Sequence, residues 1–138
     1  MADTSERNIV FFDNDPSWTK FPWDFGLMVQ GMALEKGWWG TWFTGDPWVM
    51  AEDITERTPA IVTTLGGSES LFGYSPKARP ILDAAHRLGV PLAIVSGHPH
   101  LAADYIRPDS QDVLIPKQPL EQVAPMLGQF FDGILAKV

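Results

Sequence analysis

Short runs of β-branched and aromatic residues alternate along this chain with longer stretches whose apolar residues recur every three or four positions. That alternation restricts the fold more than any other feature. Ile9–Phe12 reads as a buried strand closed by the turn Asp13-Asn14-Asp15-Pro16. Asp24 to Lys36 reads as a helix, with Phe25, Met28, Val29, Met32 and Ala33 on one face and Gly37 as its cap. Trp38 to Phe43 reads as a second strand. Asp46 and Pro47 start a second helix running to about Arg57. Pro59 opens a third strand, AIVTTL. Pro76 to Leu88 is a helix with Ile81, Leu82, Ala85 and Leu88 on one face, capped by Gly89. Val90 to Val95 is the fourth strand, His100 to Ile106 a weaker helix and Val113 to Ile115 the fifth strand. Leu120 to about Lys137 closes the chain as a helix whose apolar side carries Val123, Met126, Leu127, Phe130, Phe131 and Ile134.

Five strands alternating with five helices predict an α/β domain with a parallel sheet. Right-handed crossovers leave few arrangements for it. The 138 residues suit one domain, over 8–138, behind a polar tail at 1–7.

Composition removes several functional classes. No apolar run approaches the roughly 18 residues a membrane span requires. The start, MADTSERN, has no basic segment followed by an apolar one, so it is not read as a secretory signal. There is no cysteine, which excludes disulfides, thiolate metal sites and thiol nucleophiles. These features fit a cytoplasmic protein. The net charge of −7, with basic residues scattered singly, offers no footprint for nucleic acid. A protein partner or a small ligand is expected instead.

In parallel α/β sheets, functional residues gather where strands end at their carboxyl edge. Here those ends carry Asp13-Asn14-Asp15, Leu65-Gly66-Gly67, Ser96-Gly97 and Lys117. Carboxylates, a hydroxyl and a lysine on one edge suit a Mg²⁺–phosphate site.

This order of fragments resembles the receiver domain of two-component response regulators, over about residues 8 to 138. IVFFDNDP looks like the family's first strand and acidic pair, and TPAIVTTLGGSESLFG like its third strand and following loop. GVPLAIVSG looks like the fourth strand with its switch hydroxyl, here Ser96. VLIPKQP looks like the fifth strand and its lysine, here Lys117. The resemblance implies a flavodoxin-like three-layer fold with strand order 2-1-3-4-5. It also implies a role in signal transduction.

The departures from that family are chemical. Aligning Pro59 and Gly73 with the family's pattern places Leu65 where the resemblance implies the aspartate that accepts a phosphoryl group. A leucine forms no acyl phosphate and ligates no metal. Asn14 replaces the second carboxylate of the acidic pair. Leu114 stands at the aromatic switch position, and Gln118 separates Lys117 from Pro119. The sequence therefore resembles an atypical receiver, or pseudo-receiver, with a degenerate phosphorylation site at Asp13, Asn14, Leu65, Ser96 and Lys117. The expected protein is not an enzyme. It signals through protein contact without aspartyl phosphorylation.

Each remaining feature has a plain reading beside its functional one. Asp13 and Asp15 could hold Mg²⁺, but turns favour Asp and Asn for local hydrogen bonds, so no cofactor is expected. A Lys117–Asp13 ion pair would hold the site shut without phosphate, and that structural reading is preferred over phosphate binding by Ser96 and Lys117. Gly66-Gly67-Ser68 lacks the ending of a phosphate-binding loop and reads as a turn. His86, His98 and His100 read as solvated or hydrogen-bonded, because no third metal ligand follows from their spacing.

All six tryptophans lie between Trp18 and Trp48. Trp38, Trp39 and Trp42 are expected in the core, although adjacent Trp38 and Trp39 must point to opposite faces. Trp18 and Trp23, in a long segment after Asp13, suit plain packing and a lid or partner surface equally. By resemblance, a homodimer could use the fourth helix (Leu101 to Ile106), the fifth strand and the fifth helix (Leu120 to Val138). Adjacent Phe130 and Phe131 leave room for one to face outward, but plain packing of that helix on the sheet is preferred.

The alternative from another class is a phosphohydrolase of the haloacid dehalogenase type. Asp13 would be the nucleophile and Asp15 the general acid/base, with Ser96 and Lys117 in support. Against it, the acidic pair expected after the lysine is missing, with only Glu121 and Asp132 in the final helix. Ser17 also stands where threonine is usual.

Overall fold

A computed structural model describes residues 8–12, 24–43, 51–65, 78–97 and 99–136. Its strands are β1 (Asn8–Phe12), β2 (Trp39–Phe43), β3 (Ile61–Leu65), β4 (Leu92–Ser96) and β5 (Val113–Pro116). They form one parallel sheet, as the alternation predicts, in the order β2-β1-β3-β4-β5 that the resemblance implies. The described helices are α1 (Asp24–Glu35), α2 (Arg79–Leu88), the short α3 (Pro99–Ala102) and α4 (Leu120–Leu135). A 3₁₀ turn, Ala103–Tyr105, extends α3.

Side chains alternate across each strand, so the sheet has two apolar faces. Ile9, Phe11, Val62, Ala93, Val95 and Ile115 pack with α1 and α4. Val10, Phe12, Ile61, Leu92 and Ile94 pack with α2. The result is a three-layer α/β/α domain. Phe25 of α1 meets Phe11 edge-on, with ring centroids 4.9 Å apart. Each large side chain buried in this way contributes about 1.5–3 kcal/mol.

The helix faces read from the sequence are largely observed. Phe25, Val29 and Ala33 of α1 are buried, as are Ile81, Leu82 and Ala85 of α2. Gly89 caps α2 in the left-handed conformation, φ 71°, and donates its amide to the Ala85 carbonyl. Phe130 and Phe131 are both buried, so neither faces outward; Phe131 meets Trp38 edge-on at 5.5 Å. Met126, read as part of the apolar side of α4, is instead exposed. Pro125 lies within helix α4 on its exposed side, and having no amide proton it gives the Glu121 carbonyl, four residues earlier, no donor.

Three further expectations need correction. Trp39 is not a core residue: it is 66% exposed on β2, whereas Trp38 is 7% exposed. Once Trp38 faces α4, its neighbour must face away, and β2 is the sheet's edge. The helix expected to reach Arg57 stops earlier, with Ala51 and Glu52 helical and Asp53 in a turn. Hydroxyls offer the backbone another partner there: Thr58 Oγ1 accepts from the Thr55 amide at 3.0 Å, and Thr55 Oγ1 from the Arg57 amide at 3.2 Å. The helix expected over His100–Ile106 ends at Ala102 and tightens to 3₁₀, closed by the Ile106 amide on the Ala103 carbonyl. Pro108 biases Arg107 away from helical geometry.

Candidate functional site

The carboxyl edge of the sheet brings together three of the residues singled out in the sequence. Leu65 ends β3 and pairs in register with Ser96, the last residue of β4. Ser96 in turn pairs with Pro116. The Lys117 amide then donates to the Ser96 carbonyl at 3.0 Å, carrying the ladder one residue past β5. A Cβ added to Gly97 would sit 3.7 Å from Lys117 Cδ, so the lysine's aliphatic stem lies beside Gly97. Leu65, Ser96 and Lys117 therefore share one short stretch of the edge. The side chain of Leu65 lies outside the described part of the structure. So do Asp13, Asn14, Asp15, Trp18, Trp23, Gly66, Gly67, Ser68 and His98, the tail 1–7, and the side chain of Trp42.

Three hydroxyl side chains at this edge are fully buried: Thr63 and Thr64 on β3 and Ser96 on β4. Buried hydroxyls require partners. Thr63 Oγ1 donates to the Thr64 carbonyl at 3.2 Å. Apolar patterning does not distinguish either threonine from its strand neighbours. In the sequence they show only as two hydroxyls just before Leu65 in an otherwise apolar central strand.

The acidic residues after Lys117 lie at opposite ends of α4. Glu121 is exposed in the first turn of α4. Asp132, near the helix's other end, pairs with Lys36 beyond α1, with Nζ to Oδ1 at 2.5 Å. Among the described residues, no group of three His, Asp or Glu side chains is placed to hold a metal ion. His86 Nε2 lies 2.8 Å from the Tyr105 carbonyl, in line with the hydrogen-bonded reading of that histidine.

Among the described residues, the best-connected polar centre lies at the opposite, amino edge, and no motif in the sequence points to it. Arg107 donates from Nε to Asp112 Oδ2 and from Nη2 to Asp112 Oδ1, each at 2.7 Å. Its Nη1 donates to the Ala85 carbonyl at 3.0 Å, and Nη2 also reaches the Val90 carbonyl. The backbone amides of Leu92 and Arg107 donate to Asp112 at 3.0 Å. The Asp112 side chain has no exposed surface. Burial by itself would raise its pKa. Hydrogen bonds from the Arg107 side chain and amide, the guanidinium charge and the Leu92 amide outweigh burial and hold the carboxyl below its usual value. A cavity of about 190 Å³ beside this pair is lined by Gly89, Pro91, Arg107, Ser110, Gln111 and Asp112. Its polar groups bond to the protein itself: Ser110 Oγ to the Arg107 carbonyl, and Gln111 Nε2 to the Gly133 carbonyl. The centre therefore fastens the end of α2 and the start of β4 to the loop before β5.

No protein-family model matches the chain, and no curated protein matches its sequence. Solved structures do match. A response regulator receiver protein from Sinorhizobium medicae aligns with TM-score 0.55 and 16% identity, over 92% of this chain and 95% of that one. The receiver domain of the PhyR response regulator from Erythrobacter litoralis aligns with TM-score 0.54 and 15% identity, over 90% of this chain and 88% of that one. A rubredoxin oxygen:oxidoreductase from Desulfovibrio gigas aligns with TM-score 0.58 and 12% identity, over 96% of this chain but 37% of that one. Receivers and an oxidoreductase thus share this backbone, and at these identities the likeness speaks for the fold alone. No helix among the described residues is long and apolar enough to cross a membrane. The chain has the five-stranded, 2-1-3-4-5 α/β fold of response-regulator receiver domains.

Proposed function

We propose that this chain is an atypical receiver, a cytoplasmic signalling domain that works through protein contact and is independent of aspartyl phosphorylation. One observation carries the reading. The residue that ends β3, opposite Ser96 and separated from Lys117 by β4, is Leu65. In the resembled family that position holds the phosphoacceptor. A leucine there has no nucleophilic oxygen and contributes no charge to a cation site. Ser96 ends β4 and Lys117 directly follows the neighbouring β5, which supports reading the edge as a receiver scaffold with altered chemistry. In this reading Lys117 pairs with Asp13, and neither Asp13 nor Asp15 serves a resident metal.

Two assays test the proposal. Incubation with acetyl phosphate and Mg²⁺ leaves the intact mass unchanged, whereas a stable gain of one phosphoryl group overturns it. Hydrolysis of a generic phosphate ester is absent. Turnover that disappears in Asp13→Asn would support the phosphohydrolase reading instead.

A further inference from the structure

The two edges of the sheet are guarded unequally. At one edge β5 is short, ends in Pro116, which has no amide to offer, and is bracketed by Asp112 and Lys117. Proline and flanking charge are devices that keep an edge strand from pairing with another chain. At the other edge β2 (WGTWF) has neither. All its residues pair with β1 in unbroken register, so no bulge twists it away. From Gly37 to Gly45 the chain has no charged residue and no proline. Among the described residues no strand lies on the outer side of β2. An edge strand turns a row of amides and carbonyls outward, a template for another strand. Trp39 stands on this strand, 66% exposed, a large aromatic surface that the fold of one chain does not use.

The charge pattern selects a second copy, and its direction. Copies of a chain carrying −7 repel one another over most of their surface, but along this stretch no like charges meet. The first charges beyond it are Lys36 on one side and Asp46 on the other, of opposite sign. An antiparallel copy brings unlike ends together, whereas a parallel copy brings like ends together. Lys36 is already bonded to Asp132 of its own chain, so this sets direction more than strength. A two-fold axis at Thr41, the middle of β2, pairs the whole strand with its equivalent. Thr41 then lies opposite its own copy, Gly40 opposite Trp42, and Trp39 opposite Phe43. Each exposed Trp39 gains an aromatic residue at the directly opposed position.

We infer that this chain forms a two-fold dimer in which the β2 edges pair antiparallel about Thr41, joining two five-stranded sheets into one. This edge lies across the sheet from β5, and the inference does not depend on how the carboxyl edge is used. One short strand per copy buries less than a standard stable interface, so the dimer is concentration-dependent.

Sedimentation velocity of the whole chain, from about 10 μM to about 1 mM, measures the association. The expected result is a reversible rise from 15.3 kDa toward twice that mass. Trp39→Lys, at an exposed position, puts a charge on the edge and weakens dimerisation by about tenfold or more. The chain has no cysteine, so single introduced thiols report the register. Opposed Cα atoms of an antiparallel pair lie about 4.5–5.5 Å apart, within disulfide reach. Under oxidised glutathione, Thr41→Cys therefore cross-links to itself. Trp39→Cys does not, because its equivalent lies four residues along, about 13 Å away. Circular dichroism checks that each variant folds, and Trp39→Lys decides alone if Thr41→Cys does not.

A chain that stays monomeric throughout the range overturns the inference. So does a dimer that Trp39→Lys leaves intact, which would lie on another surface. Equal cross-linking through positions 39 and 41 overturns the register and with it the pairing. Gain of a phosphoryl group from acetyl phosphate would instead overturn the functional reading and leave a mapped β2 dimer intact.

Discussion

Arg107 grips Asp112 through two parallel hydrogen bonds of 2.7 Å, and the same guanidinium reaches the carbonyls of Ala85 and Val90. A residue of one loop thereby fixes the end of α2 and the entry to β4. The aspartate is wholly buried, while the arginine keeps some contact with water.

Removing either partner destabilises the domain unequally. Arg107→Met leaves a buried carboxylate with only backbone amides and costs about 3–5 kcal/mol. Asp112→Ala costs less, because the guanidinium retains a route to solvent. Urea denaturation of both variants measures the order.

The pair also sets an acid limit. The folded pKa of Asp112 is below the usual 3.8, so its contribution to stability is present above that value. That contribution is lost as pH falls below about 4 toward the folded value. Stability measured through this range drops in the wild type. In Asp112→Asn the starting stability is lower and the drop is shallower.

The two adjacent tryptophans separate cleanly. Trp38 sits edge-on to Phe131 in the core, and Trp38→Ala costs about 3–5 kcal/mol. Trp39→Ser changes stability by about 0.5 kcal/mol or less, because its side chain is mainly in water. Chemical denaturation of both variants checks the contrast.

Gly31→Ala stabilises the free domain by up to about 1 kcal/mol, since the new methyl meets no atom and helix propensity improves. Thermal unfolding reads the gain as a higher Tm. A loss of stability would mean that the glycine has a structural role inside the fold.

Titration with Mg²⁺ and then beryllofluoride leaves intrinsic tryptophan fluorescence unchanged. Without an acceptor carboxylate at Leu65, the acyl-phosphate mimic has nowhere to bond. A saturable change that disappears in Asp13→Ala would show that the edge still binds cation and phosphate.

Most of the architecture was legible along the chain because sheets and helices impose different periods on apolar residues. The run Ile9–Phe12 and the repeat Phe25, Val29, Ala33 announce a two-sided strand and a one-sided helix before any contact is known. The left-handed Gly89 stop was equally local. The strand ends followed, and with them the meeting of Leu65, Ser96 and Lys117 at one edge. Other properties depend on which distant groups arrive beside a residue. Periodicity requires Trp38 and Trp39 to part, but only the position of α4 and the edge location of β2 decide which is buried. Apolar spacing would carry helices past Glu52 and Ala102, whereas in the fold threonine hydroxyls bond the amides after the first and a 3₁₀ turn follows the second. Arg107 and Asp112 read as ordinary loop charges until α2 and β4 supply the carbonyls and amide that complete their network. Sequence determined the elements and their order, because those follow from local sterics and apolar spacing. Tertiary structure decided burial at the edges and the partners of buried polar groups, because both depend on residues far apart in the chain.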